Sequence, residues 1–142
     1  MKSARIAFLA LGPLLALSCS TIAPVKINAG DQCFRCRRTI SDTRLAAETV
    51  QGGFVSKYRA PGCMAKYITA HPNEQTGAVF VTDYAKGTMI DPAKAFFVPV
   101  TLDLRTGEND YQAFGVKADA DRAAAELKTA PVDWATVLDR AR

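Results

Sequence analysis

In the first half of the chain the spacing of apolar residues changes from the alternation typical of strands to the spacing typical of a helix. Residues 44–50 have the composition of a strand, and Phe54–Tyr58 alternates apolar with polar side chains. Gly52-Gly53 lies between them and suits a tight turn, because glycine reaches positive φ without a steric penalty. The pattern predicts a β-hairpin.

Helical spacing replaces this alternation after Pro61, a residue suited to the first turn of a helix. The predicted helix covers residues 61–70 and places three side chains on one face: Met64, Tyr67 and Ile68. It ends before His71-Pro72, because the residue before a proline is pushed out of the α region. Residues 78–82 are densely apolar, as in a central strand. The first half is therefore predicted to be β-β-α-β.

The second half repeats this order more weakly. Its predicted elements are strands at 88–90, 95–100 and 111–114, a turn at 106–109, and helices at 117–128 and 131–140. The last helix is expected to bury Trp134, Val137 and Leu138. An internal duplication is a hypothesis to which the sequence alone lends little support.

A chain of 142 residues is long enough for one ordinary domain. Its formal charge of +4 includes Lys2 and Arg5 at the N-terminus, and without them 16 basic residues face 14 acidic ones. This balance does not favour nucleic acid or an anionic membrane surface as a partner. Basic residues are locally dense only at Arg35, Arg37 and Arg38.

The N-terminus has the pattern of an export signal. Lys2 and Arg5 precede an apolar run of about 12 residues, shorter than the roughly 20 that a membrane-spanning helix requires. Cys19 follows the small Ser18 and resembles the acceptor of a bacterial lipoprotein signal, with ordinary cleavage as the alternative. Ser20 is compatible with sorting to the outer membrane. The expected location is the periplasmic face of a bacterial membrane, with a lipid as the anchor.

Three segments follow from this interpretation of the N-terminus. Residues 1–18 are predicted to be a lipoprotein signal, 19–32 a tether and 33–142 the folded domain. Once Cys19 carries lipid, the domain keeps an odd number of cysteines: Cys33, Cys36 and Cys63. In an oxidising compartment an odd number leaves one thiol over or places all three on a metal.

The Cys33-Phe34-Arg35-Cys36 spacing is compatible with three kinds of chemistry. It can bind a metal, act as a thiol–disulfide oxidoreductase, or form a structural Cys33–Cys36 disulfide. Attachment of c-type haem is disfavoured, because Arg37 stands where that motif has histidine. A zinc ribbon would need four cysteines.

Further candidate ligands lie beyond this pair. Cys63 falls in the first turn of the predicted helix, where free N–H groups and the helix dipole favour a thiolate. Met64 and Met89 offer thioether sulfurs, and each also suits plain packing. His71 lies eight residues after Cys63 and is expected to be a helix-terminal residue. No Ser/His/Asp set or catalytic carboxylate pair can be assembled, so we do not expect an enzyme of those types.

The order of these features is similar to that of the NosL family, over about residues 31–127. The resemblance lies in Asp31-x-Cys33-x-x-Cys36, Ala46-Ala47-Glu48, Gly62-Cys63-Met64 with Tyr67-Ile68, Val81-Thr82-Asp83-Tyr84-x-x-Gly87-x-x-Ile90-Asp91-x-x-Lys94-Ala95 and Ala113-Phe114. It implies an α+β fold of two β-β-α-β units, also seen in organomercurial lyase. It also implies a lipid-anchored carrier of Cu(I) that serves nitrous oxide reductase.

The chain departs from the family beside its cysteines. Family members usually continue the first motif as Cys-Gly-Met, whereas Arg37 and Arg38 follow Cys36 here, and a methionine before the late Ala-Phe segment is missing. The remaining candidate Cu(I) ligands are Cys33, Cys36, Cys63, Met64 and Met89. We therefore expect a copper chaperone whose partners are a copper-exporting membrane transporter and a client cuproenzyme, such as nitrous oxide reductase.

Overall fold

The computed structural model of the chain describes residues 21–142. The predicted signal at residues 1–18, the predicted lipidation site Cys19 and Ser20 lie outside the described residues. The described part is a small α+β domain with three α-helices and two antiparallel sheets, which confirms the predicted class. The strands are β1 Ala47–Gln51, β2 Phe54–Tyr58, β3 Ala78–Thr82, β4 Met89–Ile90, β5 Phe96–Asp103 and β6 Glu108–Phe114, and the helices are α1 Pro61–Ala70, α2 Lys117–Glu126 and α3 Trp134–Arg140.

The first half forms a four-stranded sheet in the order β2-β1-β3-β4. The β1–β2 hairpin turns at Gly52-Gly53, both with positive φ, and β3 returns to pair with β1 in antiparallel register. The predicted β-β-α-β order and the bounds of α1 are confirmed. The strand predicted at residues 44–50 begins later, at Ala47, because residues 42–45 form a turn in which Leu45 N–H donates to the carbonyl of Asp42.

The second half forms the β5–β6 hairpin with α2 packed on it. After α2 the chain returns to β5, but the contact is a single antiparallel bridge between Val132 and Phe97. This bridge occupies the place that β3 has beside β1, so the second unit repeats the first with its last strand reduced to one residue pair. The same bridge keeps Pro131 and Val132 extended, and α3 therefore starts at Trp134 rather than at residue 131.

Helix α1 lies between the two halves and contacts strands of both sheets as well as α3. The main core gathers around it and includes the fully buried Tyr58, Met64, Val81 and Phe97. The two sheets also meet at Asp83, which forms a parallel bridge with Ala113. The domain consequently has one principal core, with α1 at its centre.

The second half of the predicted tether lies against the folded domain. Ile27 is buried, and the Val25 N–H donates to the Glu48 carboxylate over 2.6 Å. Glu48 is itself fully buried, and its Oε2 has no hydrogen-bond partner among the described residues. No helix within residues 21–142 has the length and apolar character needed to cross a bilayer.

Burial of Glu48 makes a testable contribution to the pH dependence of stability. Burial raises the pKa of Glu48, against the opposing effects of the Val25 N–H and the Lys57 charge. A raised folded-state pKa contributes stability that is present below the unfolded-state pKa and lost as pH rises through the folded-state pKa. We expect Glu48→Gln to gain unfolding free energy relative to the wild type as pH rises from mildly acidic to neutral. Urea denaturation of both proteins across this range measures the difference, and parallel curves would contradict it.

Candidate metal site

Two neighbouring cysteines meet a third that is distant in sequence. The Sγ atoms of Cys33, Cys36 and Cys63 all lie within 4.8 Å of one another. Cys33 and Cys63 are buried, and Cys36 is half-buried. All three are free thiols, and together they could hold a metal ion.

A tight loop positions the first two cysteines. We call residues 31–40 the knuckle; an antiparallel bridge between Gln32 and Thr39 closes it. Inside it the Cys33 N–H donates to the carbonyl of Arg38, and the Arg37 N–H donates back to the carbonyl of Cys33, both over 2.9 Å. These two bonds cross the loop and hold it in a tight turn. Cys36 therefore lies next to Cys33.

The knuckle is fastened to the end of β2. The Phe34 N–H donates to the Lys57 carbonyl over 2.7 Å, and the Lys57 ammonium pairs with Asp31 over 2.7 Å. The knuckle also buries Ile40 completely in the main core. These contacts place Cys33 beside Arg59, the residue that links β2 to the helix carrying Cys63.

Cys63 comes to the site because α1 starts there. It is the third residue of the helix, after Pro61 and Gly62. The Asp110 carboxylate on β6 accepts hydrogen bonds from the Gly62 N–H over 2.6 Å and from the Tyr111 N–H over 2.9 Å. A carboxylate at a helix N-terminus is favoured by the helix dipole. Asp110 therefore fixes the first turn of α1, and with it the position of Cys63.

The two buried thiols form a coupled pair. Cys33 Sγ and Cys63 Sγ are 3.4 Å apart and share a hydrogen bond. This bond, together with backbone N–H groups of Cys36 and Arg59 that point at the sulfur, lowers the pKa of Cys33. The same bond and burial raise the pKa of Cys63. The pair loses one proton readily and holds the second tightly, and both steps belong to the pair rather than to either residue.

The spacing of the sulfurs suits a shared metal. Metal–sulfur bonds of about 2.3 Å place three trigonal thiolates about 4.0 Å apart, a separation that the cluster reaches with small side-chain shifts. The Cys63 sulfur lies 3.4 Å from that of Cys33, although the two residues are far apart in the chain. The third cysteine therefore belongs to the cluster together with the local pair Cys33 and Cys36.

The two candidate methionines differ in position. Met64 follows Cys63 in α1 and is fully buried in the main core. Met89 lies on β4, at the opposite edge of the sheet from β2, three strand spacings or about 14 Å away. Its sulfur accepts a hydrogen bond from Thr82 over 3.6 Å. The strand order therefore separates Met89 from the strand end to which the knuckle is fastened.

The remaining polar candidates have structural positions. His71 caps the C-terminus of α1, exposed and stacked on Tyr67, which confirms it as a helix-terminal residue. Asp83 accepts bonds from turn N–H groups and from Gly115, and Asp91 caps the short 3-10 turn at Pro92–Lys94. None of the three belongs to the cysteine cluster.

Two supports of the site were not evident in the sequence. Asp110 has no local motif that connects it with Cys63, because only the packing of β6 under α1 brings them together. Glu108 pairs with both Arg38 and Arg59, and so ties the knuckle and the end of β2 to the second sheet. Helical dipole arguments could have predicted that some carboxylate lies near Cys63, but not which one.

Arg37 has a backbone conformation that is unusual for its residue type. Its φ is 60°, in the left-handed region, which costs a non-glycine residue on the order of 1 kcal/mol. The glycine that usually follows the second cysteine in the NosL family would take this conformation without strain. The arginine is therefore a strained residue beside Cys36.

Gly62→Ala tests whether the start of α1 positions the cluster. A Cβ on Gly62 would lie 2.8 Å from the buried Asp110 carboxylate, so one of the two must move. We expect a loss of about 1–3 kcal/mol in unfolding free energy and weaker metal binding, because Cys63 moves with the turn. In an Asp110→Ala background the same change should cost little, since the clash is gone. Equal costs in both backgrounds would contradict the role of this contact.

Titration of the thiols tests the coupled pair. Because the two thiols share one hydrogen bond, the pair should lose its first proton below the usual cysteine pKa and its second above it. The ultraviolet absorbance of the thiolates, followed against pH, should show one step below the ordinary cysteine range in the wild type, and Cys36→Ala should retain that step. Cys63→Ala, which removes the hydrogen bond altogether, should raise the pKa of Cys33 back towards its ordinary value. A single step at the ordinary value in the wild type would refute the coupling.

Comparison of the chain with family models, with curated proteins and with solved structures gives no match. The resemblance to the NosL family thus stands on the residues quoted for it, and it remains a prediction.

Proposed function

We propose that this protein binds Cu(I) through the thiolates of Cys33, Cys36 and Cys63 and passes it to another protein. The observation that carries the proposal is the convergence of three sulfurs within 4.8 Å. Thiolates are soft ligands that select Cu(I), and Cu(I) is satisfied by two or three of them. The ion is cargo here rather than a resident cofactor.

The composition of the cluster favours Cu(I) over Zn(II). A structural zinc site is almost always tetrahedral with four ligands, and the group of side chains found within residues 21–142 contains only the three cysteines. Zinc would need to complete its coordination with water or an external ligand. A three-coordinate ion needs no such addition.

Burial of the cluster suits delivery. Cys33 and Cys63 lie under the surface, where they hold the ion away from solvent, while Cys36 is half-buried. A ligand that reaches the surface can be replaced by a ligand of the acceptor while the other two sulfurs still hold the ion. Transfer would then proceed by stepwise exchange without a free ion.

The partners follow from the resemblance to the NosL family. They are a copper-exporting membrane transporter as the source and a cuproenzyme, such as nitrous oxide reductase, as the client. The proposed setting is the periplasmic face of a bacterial membrane, with a lipid on Cys19 as the anchor. The proposed fold relationship to NosL and organomercurial lyase is supported by the hairpin-helix-return order of both halves.

A thiol–disulfide oxidoreductase has weaker support. Such an enzyme needs its attacking thiolate exposed to a protein disulfide. Cys33, whose pKa is lowered, is completely buried, and its sulfur shares a hydrogen bond with that of Cys63. The pair therefore lacks the accessible geometry that exchange requires.

Titration with Cu(I) against a chromogenic chelator tests the proposal. The reduced wild type should compete for one ion, and Cys33→Ser or Cys63→Ser should weaken binding on the order of a hundredfold or more, since even the loss of an outer-shell contact commonly costs tenfold to a hundredfold. Met89→Leu is the matched control: it removes a sulfur at the far edge of the sheet, and affinity should be unchanged. A wild type that cannot compete, or cysteine variants with unchanged affinity, would refute copper binding.

A further inference from the structure

The surface around Cys36 carries positive charge that the rest of the structure does not neutralise. Arg35, Arg37 and Arg38 are all exposed there. Arg38 pairs with Glu108 over 2.8 Å, whereas Arg35 and Arg37 make no ion pair within residues 21–142. Two free cations therefore flank the one cysteine of the cluster that approaches the surface.

An aromatic side chain gives this surface a rigid centre. The Phe34 ring is 40% exposed, and its inner part packs edge-on against Tyr58 and Tyr67, with centroids 6.1 and 5.2 Å away. The Arg37 guanidinium lies 5.9 Å above the same ring, which keeps it beside the site rather than extended into solvent. Exposed aromatic and arginine side chains are the residue types enriched where proteins bind one another.

The backbone conformation of Arg37 also indicates a functional surface. A left-handed residue is normally glycine or asparagine, and strain of this kind concentrates at functional sites. The fold could take glycine at this position, yet an unpaired cation occupies it. Arg37 is exposed and forms no ion pair with the described residues, so its charge is available to a partner.

We propose that Phe34, Arg35 and Arg37 form the docking surface for an acidic protein that exchanges Cu(I) at Cys36. This inference names the kind of partner and depends on the proposed function. In the exchange, the bond between Cu(I) and the Cys36 thiolate breaks as a donor of the partner binds the ion. The copper stays monovalent, and the freed thiolate keeps its electron pair or takes a proton from water. Complementary charge accelerates such an encounter.

Stopped-flow transfer of Cu(I) from the loaded full-length protein tests the docking surface. Two synthetic acceptor peptides share a methionine-rich core and carry either glutamates or lysines on both flanks. The wild type should transfer to the acidic peptide about tenfold faster at low ionic strength, and high salt should remove the difference. Arg35→Glu with Arg37→Glu should reverse the preference. Arg37→Gly, which the left-handed backbone accommodates, should lower it.

The matched control changes the net charge by the same amount, at a site far from Cys36. Lys86→Glu with Lys94→Glu alters two exposed lysines that flank β4, at the opposite sheet edge, and the preference for the acidic peptide should persist. If both double variants change the rates alike, only net charge matters and the docking surface is refuted. If the arginine variants weaken Cu(I) affinity but keep the preference, the arginines serve the ion alone, which also refutes docking.

A metal-free measurement separates this proposal from copper binding itself. The reduced apo protein is treated with a dianionic aryl disulfide and, separately, with dicationic cystamine, and each reagent is compared with itself across variants and salt concentrations. The arginine variant should slow the anionic reagent and speed the cationic one, whereas the lysine variant should do neither. Unchanged rates refute the charged surface even if copper binds. Failure of the wild type to bind copper refutes the proposed function and the exchange with it.

Discussion

Helix α1 is held by both sheets at once, and the site depends on this constraint. Its first turn is fixed from the second sheet, where Asp110 accepts the Gly62 N–H. Its middle packs on the first sheet through Tyr67 against Tyr58. The knuckle is hydrogen-bonded to the end of β2, where the Phe34 N–H donates to the Lys57 carbonyl. Cys63 and Cys33 therefore come within 3.4 Å only because both halves of the domain are assembled.

Local chemistry explains what could be predicted from the sequence. The hairpin depends on Gly52-Gly53, and the start and end of α1 depend on Pro61 and on the proline after His71. Each of these constraints acts over a few residues, so a pattern of neighbours reveals it. The position of Cys63 in the first helical turn belongs to the same class. Whether Cys63 would reach Cys33 depended on the tertiary fold, because the two residues are far apart in the chain. In the structure their sulfurs lie 3.4 Å apart.

What escaped prediction depends on contacts between segments far apart in the chain. Nothing near Asp110 indicates that β6 would lie under the start of α1. Met89 was a candidate ligand for which packing was also suitable, and only the strand order shows that it lies on the far edge of the sheet from β2. The sequence from residue 131 has the pattern of a helix. In the structure Val132 instead forms a single antiparallel bridge with Phe97, in the place of the last strand of the second unit. Strand order and helix docking are properties of the whole chain and leave little trace in local periodicity.

The separation of Cys33 and Cys63 in sequence has a consequence for the lifetime of the protein. An ion bound to both would cross-link the knuckle to α1 between residues that are 30 positions apart in the chain. Binding to the folded state alone stabilises it by mass action. The domain without the ion would then open more often than the domain that holds it, and proteases that cut transiently opened chains would remove the metal-free protein first. The same three sulfurs would thus couple the supply of the ion to the turnover of the protein.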